Sequence, residues 1–144
     1  MRLISGAFLV AWLAATLAFT LRAAHPLPGQ VVTDNLVPFT TIGIYLDNLD
    51  SAFWLSQAAG NLLLLLPVGL FGPIALPILG RWWRVVLLAA LISGGIEIAQ
   101  LSVPDRSADV DDVMLNSVGA LLGYWILCLW RLLSPATHPV ARTD

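Results

Sequence analysis

One carboxylate stands out in this sequence because of where it lies. Glu97 is the only glutamate among the 144 residues, and it falls inside the apolar run 82–101. Placing a charged side chain at the centre of a membrane helix costs roughly 2.5–3.5 kcal/mol on insertion scales, and less near a helix end. Such a group is retained where a bundle interior or a wet cavity receives it. Glu97 is therefore a candidate functional residue, and a carboxylate suits general acid or base chemistry.

Polar residues of two other apolar runs lie at the depth of Glu97. At a rise of about 1.5 Å per residue, Asn61 and Glu97 lie roughly 12 Å and roughly 10 Å from the outer ends of their runs. Asn116 lies a little more than one turn below Asp112, at a similar level. Gln100 is three residues from Glu97 and shares its helical face. We therefore expect three helices to deliver these side chains to one outward-facing pocket.

The charged members of this pocket each have a functional and a structural interpretation. Arg106 can clamp a phosphate or a carboxylate with its planar fork, or it can anchor the helix end at the membrane interface. Glu97 can act on a proton, or it can form an ion pair with Arg106. Asp109 and Asp112 can supply the second carboxylate of an acid/base pair or bind a divalent cation, but a helix start also favours acids as caps. We favour the cap for Asp109 and the site for Asp112.

The remaining polar side chains of the predicted pocket are three amides, Asn61, Gln100 and Asn116. Amides of this kind position ligands or bond helices together rather than catalyse. No histidine or cysteine accompanies them, so zinc and thiol chemistry are disfavoured. We expect no cofactor, with a divalent cation at Asp109 and Asp112 as the weaker alternative. His25 and His138 lie in Pro-flanked segments and receive no role.

The elements that must position these residues are membrane helices. The chain is 58% hydrophobic and 11% charged, whereas soluble domains carry about 25% charged residues. A run of about 20 apolar residues crosses a bilayer core of about 30 Å. Four runs fit, at about 3–21, 53–76, 82–103 and 112–133. The sequence thus predicts an all-α integral membrane bundle, residues 1–134, with a long outer loop between the first two spans.

Two further features concern the chain ends and the partners. The first apolar run could be a cleaved signal peptide, but its length of about 19 residues exceeds the 7–15 of a signal core, so we expect a retained span. A net charge of −2 without a basic stripe gives no indication of nucleic-acid binding. Residues 135–144 are expected to form a short polar tail.

The arginines predict the orientation. With the N-terminus in the cytoplasm, five of the seven basic residues lie inside and two outside, which favours cytoplasmic termini. The inner residues are Arg2, Arg81, Arg84, Arg131 and Arg142, and the outer ones are Arg22 and Arg106.

Prolines and glycines predict the local shape of the spans. Pro67 should kink the second span. Gly119 and Gly123 form a small-xxx-small pattern that lets another backbone approach, either within the chain or in a second copy. Residues 93–95 could offer a similar flat surface. The apolar segment 35–49 is expected to pack along the outer membrane surface.

With these residues in view, the chain resembles the VanZ-like family of small bacterial membrane proteins. Four blocks carry the likeness: Asn35-Leu36-Val37-Pro38-Phe39-Thr40-Thr41-Ile42 with Tyr45; Gly60-Asn61 with Pro67 and Gly69; Glu97 with Gln100; and Arg106, Asp109, Asp111, Asp112, Asn116, Gly119 and Gly123. Leu65 departs from the pattern, since the family often has Phe there. The resemblance implies a polytopic protein of the bacterial cytoplasmic membrane, in a family whose founding member is linked to teicoplanin resistance.

Three functional hypotheses follow. In the first, the pocket binds a membrane lipid or a lipid-linked envelope precursor, and an enzymatic version adds hydrolysis or group transfer with Glu97 as proton acceptor and Asp112 as its partner. In the second, the polar cluster only locks the helices of a structural or partner-binding protein. In the third, ranked lowest, the protein is a transporter or a proton pathway. The sequence leaves open whether it is an enzyme.

Overall fold

The computed structural model describes residues 1–22 and 33–134, and within these ranges the chain is helical with one isolated bridge between extended residues. The α-helices are α1 (Arg2–Thr20), α2 (Thr40–Asp47), α3 (Ala52–Leu64), α4 (Leu66–Ala75), α5 (Trp82–Gln100) and α6 (Val110–Leu133). A 3-10 turn, Pro77–Leu79, joins α4 to α5. The predicted polar tail 135–144, His25 and His138 lie outside the described residues.

Four helical stretches are long and apolar enough to cross a membrane: α1, α3 with α4, α5, and α6. The predicted all-α membrane bundle is therefore confirmed. The third span ends earlier than expected, because its helix stops at Gln100 and a loop leads to the cap of α6. The fourth begins at Val110, directly after the capping residue Asp109.

The second span breaks between α3 and α4, as Pro67 predicts. Pro67 has no backbone N–H, and the N–H of Val68 bonds to the carbonyl of Leu65 at 3.0 Å instead of that of Leu64. The carbonyl of Leu64 thus loses its helical partners. The indole Nε1 of Trp12 in α1 donates to it at 2.8 Å, which ties the first span to the kink.

Glycines set the contact between α6 and the broken span. A Cβ added to Gly119 would lie 1.9 Å from the carbonyl oxygen of Leu62, and one added to Gly123 would lie 2.1 Å from that of Leu66. From the other side, a Cβ on Gly69 would meet the carbonyl of Ala120 at 1.8 Å. Of the two arrangements that the sequence allowed for Gly119 and Gly123, the structure has the one within the chain.

The flat surface predicted at residues 93–95 is not a helix contact. A Cβ on Gly94 or Gly95 would have no atom within 4 Å, apart from its own helix. Ser93 alone is buried, and it faces α6. The expectation failed because three small residues in a row point in different directions around a helix, and only one of them can lie at the contact.

The long loop ends in α2, which packs on the N-terminal ends of α3 and α6. Tyr45 is the buried residue of this short helix, and its ring lies 6.0 Å from that of Trp54. Leu36 and Phe39 beside it remain 74% and 64% exposed. This apolar exposure supports the prediction that the segment lies against the membrane surface, which stays a prediction.

Candidate ligand-binding site

A polar cavity of about 390 Å³ lies at the end of the bundle where α2 packs. Helices α1, α2, α3, α5 and α6 all contribute to its wall. Its charged and amide lining includes six of the predicted site residues: Asn61, Glu97, Gln100, Arg106, Asp112 and Asn116. The structure therefore brings together every predicted site residue except Asp109, which does not line this cavity.

A short backbone ladder joins the long loop to the start of α6. The N–H of Asn35 donates to the carbonyl of Ala108 at 2.8 Å, and the N–H of Val110 donates to the carbonyl of Asn35 at 3.0 Å. The carboxylate of Asp34 accepts from the N–H of Ala108 at 2.9 Å. These bonds join the long loop to the α5–α6 connection and hold both beside the cavity.

Asp109 caps α6 and holds the long loop beside it. Its Oδ1 accepts from the N–H of Asp111 at 2.8 Å, which is the N-cap bond of α6. The side chain of Asn35 donates to the same oxygen at 2.9 Å, and the hydroxyl of Thr41 donates to Oδ2 at 2.5 Å. Both oxygens of Asp109 are thus used to fasten the loop to the helix start.

Asp111 fastens α2, a role that the sequence analysis missed. It has no exposed surface, although it carries a carboxylate. Oδ1 accepts from the N–H of Phe39 at 2.7 Å, and Oδ2 accepts from those of Thr41 at 2.7 Å and Ile42 at 3.1 Å. Phe39 is held with a left-handed φ of 70° just before the helix. A carboxylate at a helix N-terminus satisfies N–H groups that have no helical partner.

Glu97 is 7% exposed and makes one hydrogen bond among the described residues. Its Oε2 accepts from the backbone N–H of Asp109 at 2.8 Å, so α5 supports the cap of α6. The alternative ion pair with Arg106 is not formed within the described ranges. Arg106 instead donates from Nε to the carbonyl of Arg22 at 3.1 Å, beside the end of α1.

Asp112 and Asn116 lie one turn apart on α6, and both line the cavity. Oδ1 of Asp112 accepts a hydrogen bond from Nδ2 of Asn61, which joins α6 to α3. Asn116 is 2% exposed and donates from Nδ2 to the hydroxyl of Ser93 at 2.8 Å. The three-helix convergence expected from depth is therefore made of direct contacts: α3 to α6 through Asn61, and α5 to α6 through Ser93.

No cation site is evident in the parts of the chain that the structure describes. No group of three or more His, Cys, Asp or Glu side chains there is arranged to hold a metal ion. Asp109 uses both oxygens on the loop, whereas Asp112 turns to Asn61. The two carboxylates proposed for a divalent cation thus have different partners.

The family model described as VanZ/LLP1 matches residues 6–131, nearly the whole chain. The protein belongs to the VanZ/LLP1 family. Together with the four apolar helices, this makes it a multi-pass membrane protein. The resemblance seen in the sequence is confirmed. Comparisons with curated proteins and with solved structures give no significant match.

The cavity wall of this VanZ/LLP1 protein also contains polar residues that were not predicted as site residues: Thr20, Tyr45, Ser56 and Gln57. Thr20 ends α1, and its carbonyl accepts from Nε2 of Gln100 at 3.1 Å. Tyr45 closes the cavity from α2. Burial, followed by the negative charges of Asp112, Asp109 and Asp111, raises the pKa of the Tyr45 phenol above its ordinary value. Tyr45 was visible only as part of the family block, and Thr20 only as a polar residue at a span end.

An apolar groove adjoins the polar cavity on the outside of the bundle. It measures about 180 Å³ and lies between α1 and α3, along Trp12, Ala15 and Thr16. Phe19 and Leu64 line both the groove and the cavity, so the two adjoin at these residues. The polar cavity thus borders an apolar groove on the side of α1 and α3.

Proposed function

We propose that this VanZ/LLP1 protein binds a lipid-linked or lipid-like ligand of the cell envelope. The polar head occupies the cavity and the apolar chain follows the groove between α1 and α3. The observation that carries the proposal is that the polar cavity and the apolar groove adjoin, with Phe19 and Leu64 in the lining of both. The cavity volume of about 390 Å³ falls in the range of roughly 300–1,000 Å³ that is usual for small-molecule sites.

The cavity residues take roles that match their chemistry. Arg106 binds a phosphate or carboxylate of the head, since its guanidinium offers a planar fork of donors. Asn61, Gln100 and Asn116 orient the head. In the enzymatic version, Glu97 accepts a proton from the attacking group and Asp112 is the second carboxylate of the pair. Asp109 contributes by holding the loop and α6 in place.

The proposal includes the location and orientation of the protein. It lies in the bacterial cytoplasmic membrane with both termini in the cytoplasm, so that the cavity opens at the headgroup depth of the outer leaflet. The support is the distribution of arginines, five inside against two outside. A ligand that is anchored in the outer leaflet can then enter from the side, through the groove.

The test compares Glu97→Gln and Arg106→Ala with the unaltered protein. Native mass spectrometry of the detergent-released protein should find a co-purified lipid that is lost in both variants. The glutamine keeps an oxygen for the N–H of Asp109, so the thermal midpoint of Glu97→Gln should be unchanged. Asp50→Asn is the matched control, because it removes the charge of an exposed carboxylate in the α2–α3 loop. A lipid retained by both variants would contradict the proposal.

The second candidate is a structural role for the polar cluster. The contacts Asn61–Asp112, Asn116–Ser93 and Glu97–Asp109 favour it, since each joins two elements of the bundle. In this case Asn61→Leu should lower the thermal midpoint, while no lipid should co-purify with the unaltered protein. The transporter hypothesis stays the lowest-ranked alternative; at Gly119 and Gly69 the backbones of α6 and the broken span pack directly against each other.

A further inference from the structure

The side-chain amide of Asn116 has a hydrogen-bond partner for its nitrogen but none for its oxygen among the described residues. Asn116 is 2% exposed and its Nδ2 donates to Ser93, but its Oδ1 is buried with no hydrogen-bond partner in the described part of the chain. A buried acceptor without a partner costs about 1–3 kcal/mol. Because Asn116 lines the cavity, a donor on a bound ligand can satisfy this oxygen.

Two further acceptors belong to residues that line the same cavity. Glu97 uses Oε2 on the N–H of Asp109, and Asp112 uses Oδ1 on Asn61; within residues 1–22 and 33–134, Oε1 and Oδ2 have no hydrogen-bond partner and are available to a ligand. Asn116 lies one turn below Asp112 on α6, about 6 Å along the helix. The lower part of the cavity therefore offers three oxygens and calls for a group with several donors.

The charge of the lining distinguishes the possible donors. Glu97 and Asp112 are acidic, and Arg106 is the basic residue of the lining. A phosphate alone would bind Arg106 but would add negative charge near two acidic side chains, and a neutral polyol would bring no positive charge to them. A primary ammonium carries three N–H donors and one positive charge, which match three acceptors and an acidic surrounding.

We propose that the cavity is selective for a zwitterionic headgroup of the phosphoethanolamine type. Its ammonium lies among Asn116, Glu97 and Asp112, and its phosphate lies at Arg106, nearer the end of α1. In such a lipid the ammonium is terminal and the acyl chains leave from the phosphate side. This order agrees with an ammonium at the bottom of the cavity and with chains that enter the groove beside Phe19. The inference rests on the proposed function and adds the identity of the head.

The test uses lipids that share their acyl chains and differ only in the head. Phosphatidylethanolamine, phosphatidylcholine and phosphatidylglycerol are titrated into the delipidated full-length protein, and binding is measured by native mass spectrometry. Phosphatidylethanolamine should bind at least about tenfold more tightly than either of the others. The trimethylated ammonium of phosphatidylcholine has no N–H donor, and the glycerol group of phosphatidylglycerol has no positive charge. Equal binding of the three lipids would overturn the ammonium site while leaving the phosphate site at Arg106 intact. No binding of any lipid would overturn both proposals.

Variants of Asn116 complete the test. Asn116→Ala should reduce the preference for phosphatidylethanolamine about tenfold, since it removes one hydrogen bond to a charged group. Asn116→Asp keeps an acceptor for the ligand and can accept a hydrogen bond from the Ser93 hydroxyl. It should therefore retain or increase the preference for phosphatidylethanolamine. Ser117→Ala is the matched control on α6, because its hydroxyl bonds to the carbonyl of Val113 and does not line the cavity. A preference that survives in Asn116→Ala would contradict the proposal, even if Asn116→Asp fails to fold.

Discussion

At the scale of single residues, the buried carboxylate of Asp111 holds the start of α2, the helix that places Tyr45 in the cavity wall. It accepts from the backbone N–H groups of Phe39, Thr41 and Ile42. Hydrogen bonds to a charged group contribute about 1.5–3 kcal/mol each when the partner cannot be replaced by water. The position of α2, and with it the position of Tyr45 over the cavity, therefore depends on this side chain.

Replacing Asp111 by alanine should loosen α2 while leaving the membrane helices intact. We expect the amide hydrogens of Thr40–Asp47 to exchange at least about tenfold faster, because three N–H groups lose their acceptor. Hydrogen exchange followed by mass spectrometry measures this directly. Asp47→Ala is the control, since Asp47 is exposed at the end of the same helix. Equal protection in Asp111→Ala and the unaltered protein would contradict the role assigned to Asp111.

Tyr45 gives the protein a dependence on alkaline pH. Its pKa in the folded protein is raised by burial and by the carboxylates of Asp112, Asp109 and Asp111. In the unfolded chain the phenol ionises near its ordinary pKa of about 10. Above that pH the unfolded state loses a proton that the folded state keeps, so the free energy of unfolding falls. The thermal midpoints of the unaltered protein and of Tyr45→Phe, plotted against pH, should run parallel below pH 10. Above pH 10 the midpoint of the unaltered protein should fall more steeply than that of Tyr45→Phe. Two curves that stay parallel up to pH 11 would contradict this.

At the level of single residues, the sequence predicted the polar side chains within the spans but not the contacts made by the loop. Glu97, Asn61 and Asn116 could be assigned to one depth because polar residues are rare in membrane helices. The partners of Asp111 could not be predicted, because backbone N–H groups carry no signature in the sequence. The unpaired Oδ1 of Asn116 is likewise a matter of geometry, which only the folded bundle provides.

At the scale of elements, the glycines of α6 set how closely the broken span approaches. Gly119→Ala should lower the thermal midpoint, because its methyl group would have to displace the backbone of Leu62. Overpacking of this kind costs about 1–3 kcal/mol. Gly94→Ala on α5 is the matched control, since its methyl group would meet open space, and it should be neutral or slightly stabilising. Thermal unfolding in detergent compares them, and equal midpoints for the two variants would contradict the close contact.

Helix boundaries and the kink could be predicted from sequence better than helix partners. The missing N–H of Pro67 determines a break whatever surrounds it, so the break was predicted correctly. The glycine spacing at 119 and 123 indicated a close backbone but not which one, because the choice depends on all the helices at once. The same limit explains why residues 93–95 were misjudged.

At the scale of the whole molecule, the orientation in the membrane can be tested by labelling. In a Cys128→Ser background, a cysteine at Asp50 lies in the α2–α3 loop and one at Ile78 lies in the turn before α5; both positions are exposed. With cytoplasmic termini, an impermeant maleimide added to intact cells should modify Asp50→Cys and leave Ile78→Cys unmodified until the membrane is permeabilised. The reverse pattern would contradict the orientation, while modification of both without permeabilisation would contradict a four-span topology.

The hydrogen bond between the side chains of Asn35 and Asp109 joins residues that are 74 positions apart in sequence. The ribosome releases the first of them well before the last membrane helix has been made. A nascent chain that still lacks this helix has no Asp109 or Asp111 to fasten the loop, and no Asp112 or Asn116 in the cavity wall. If the proposed ligand binds, we therefore expect it to be acquired after the last helix has inserted, because a chain that ends before α6 keeps its first membrane helices but lacks this wall of the cavity.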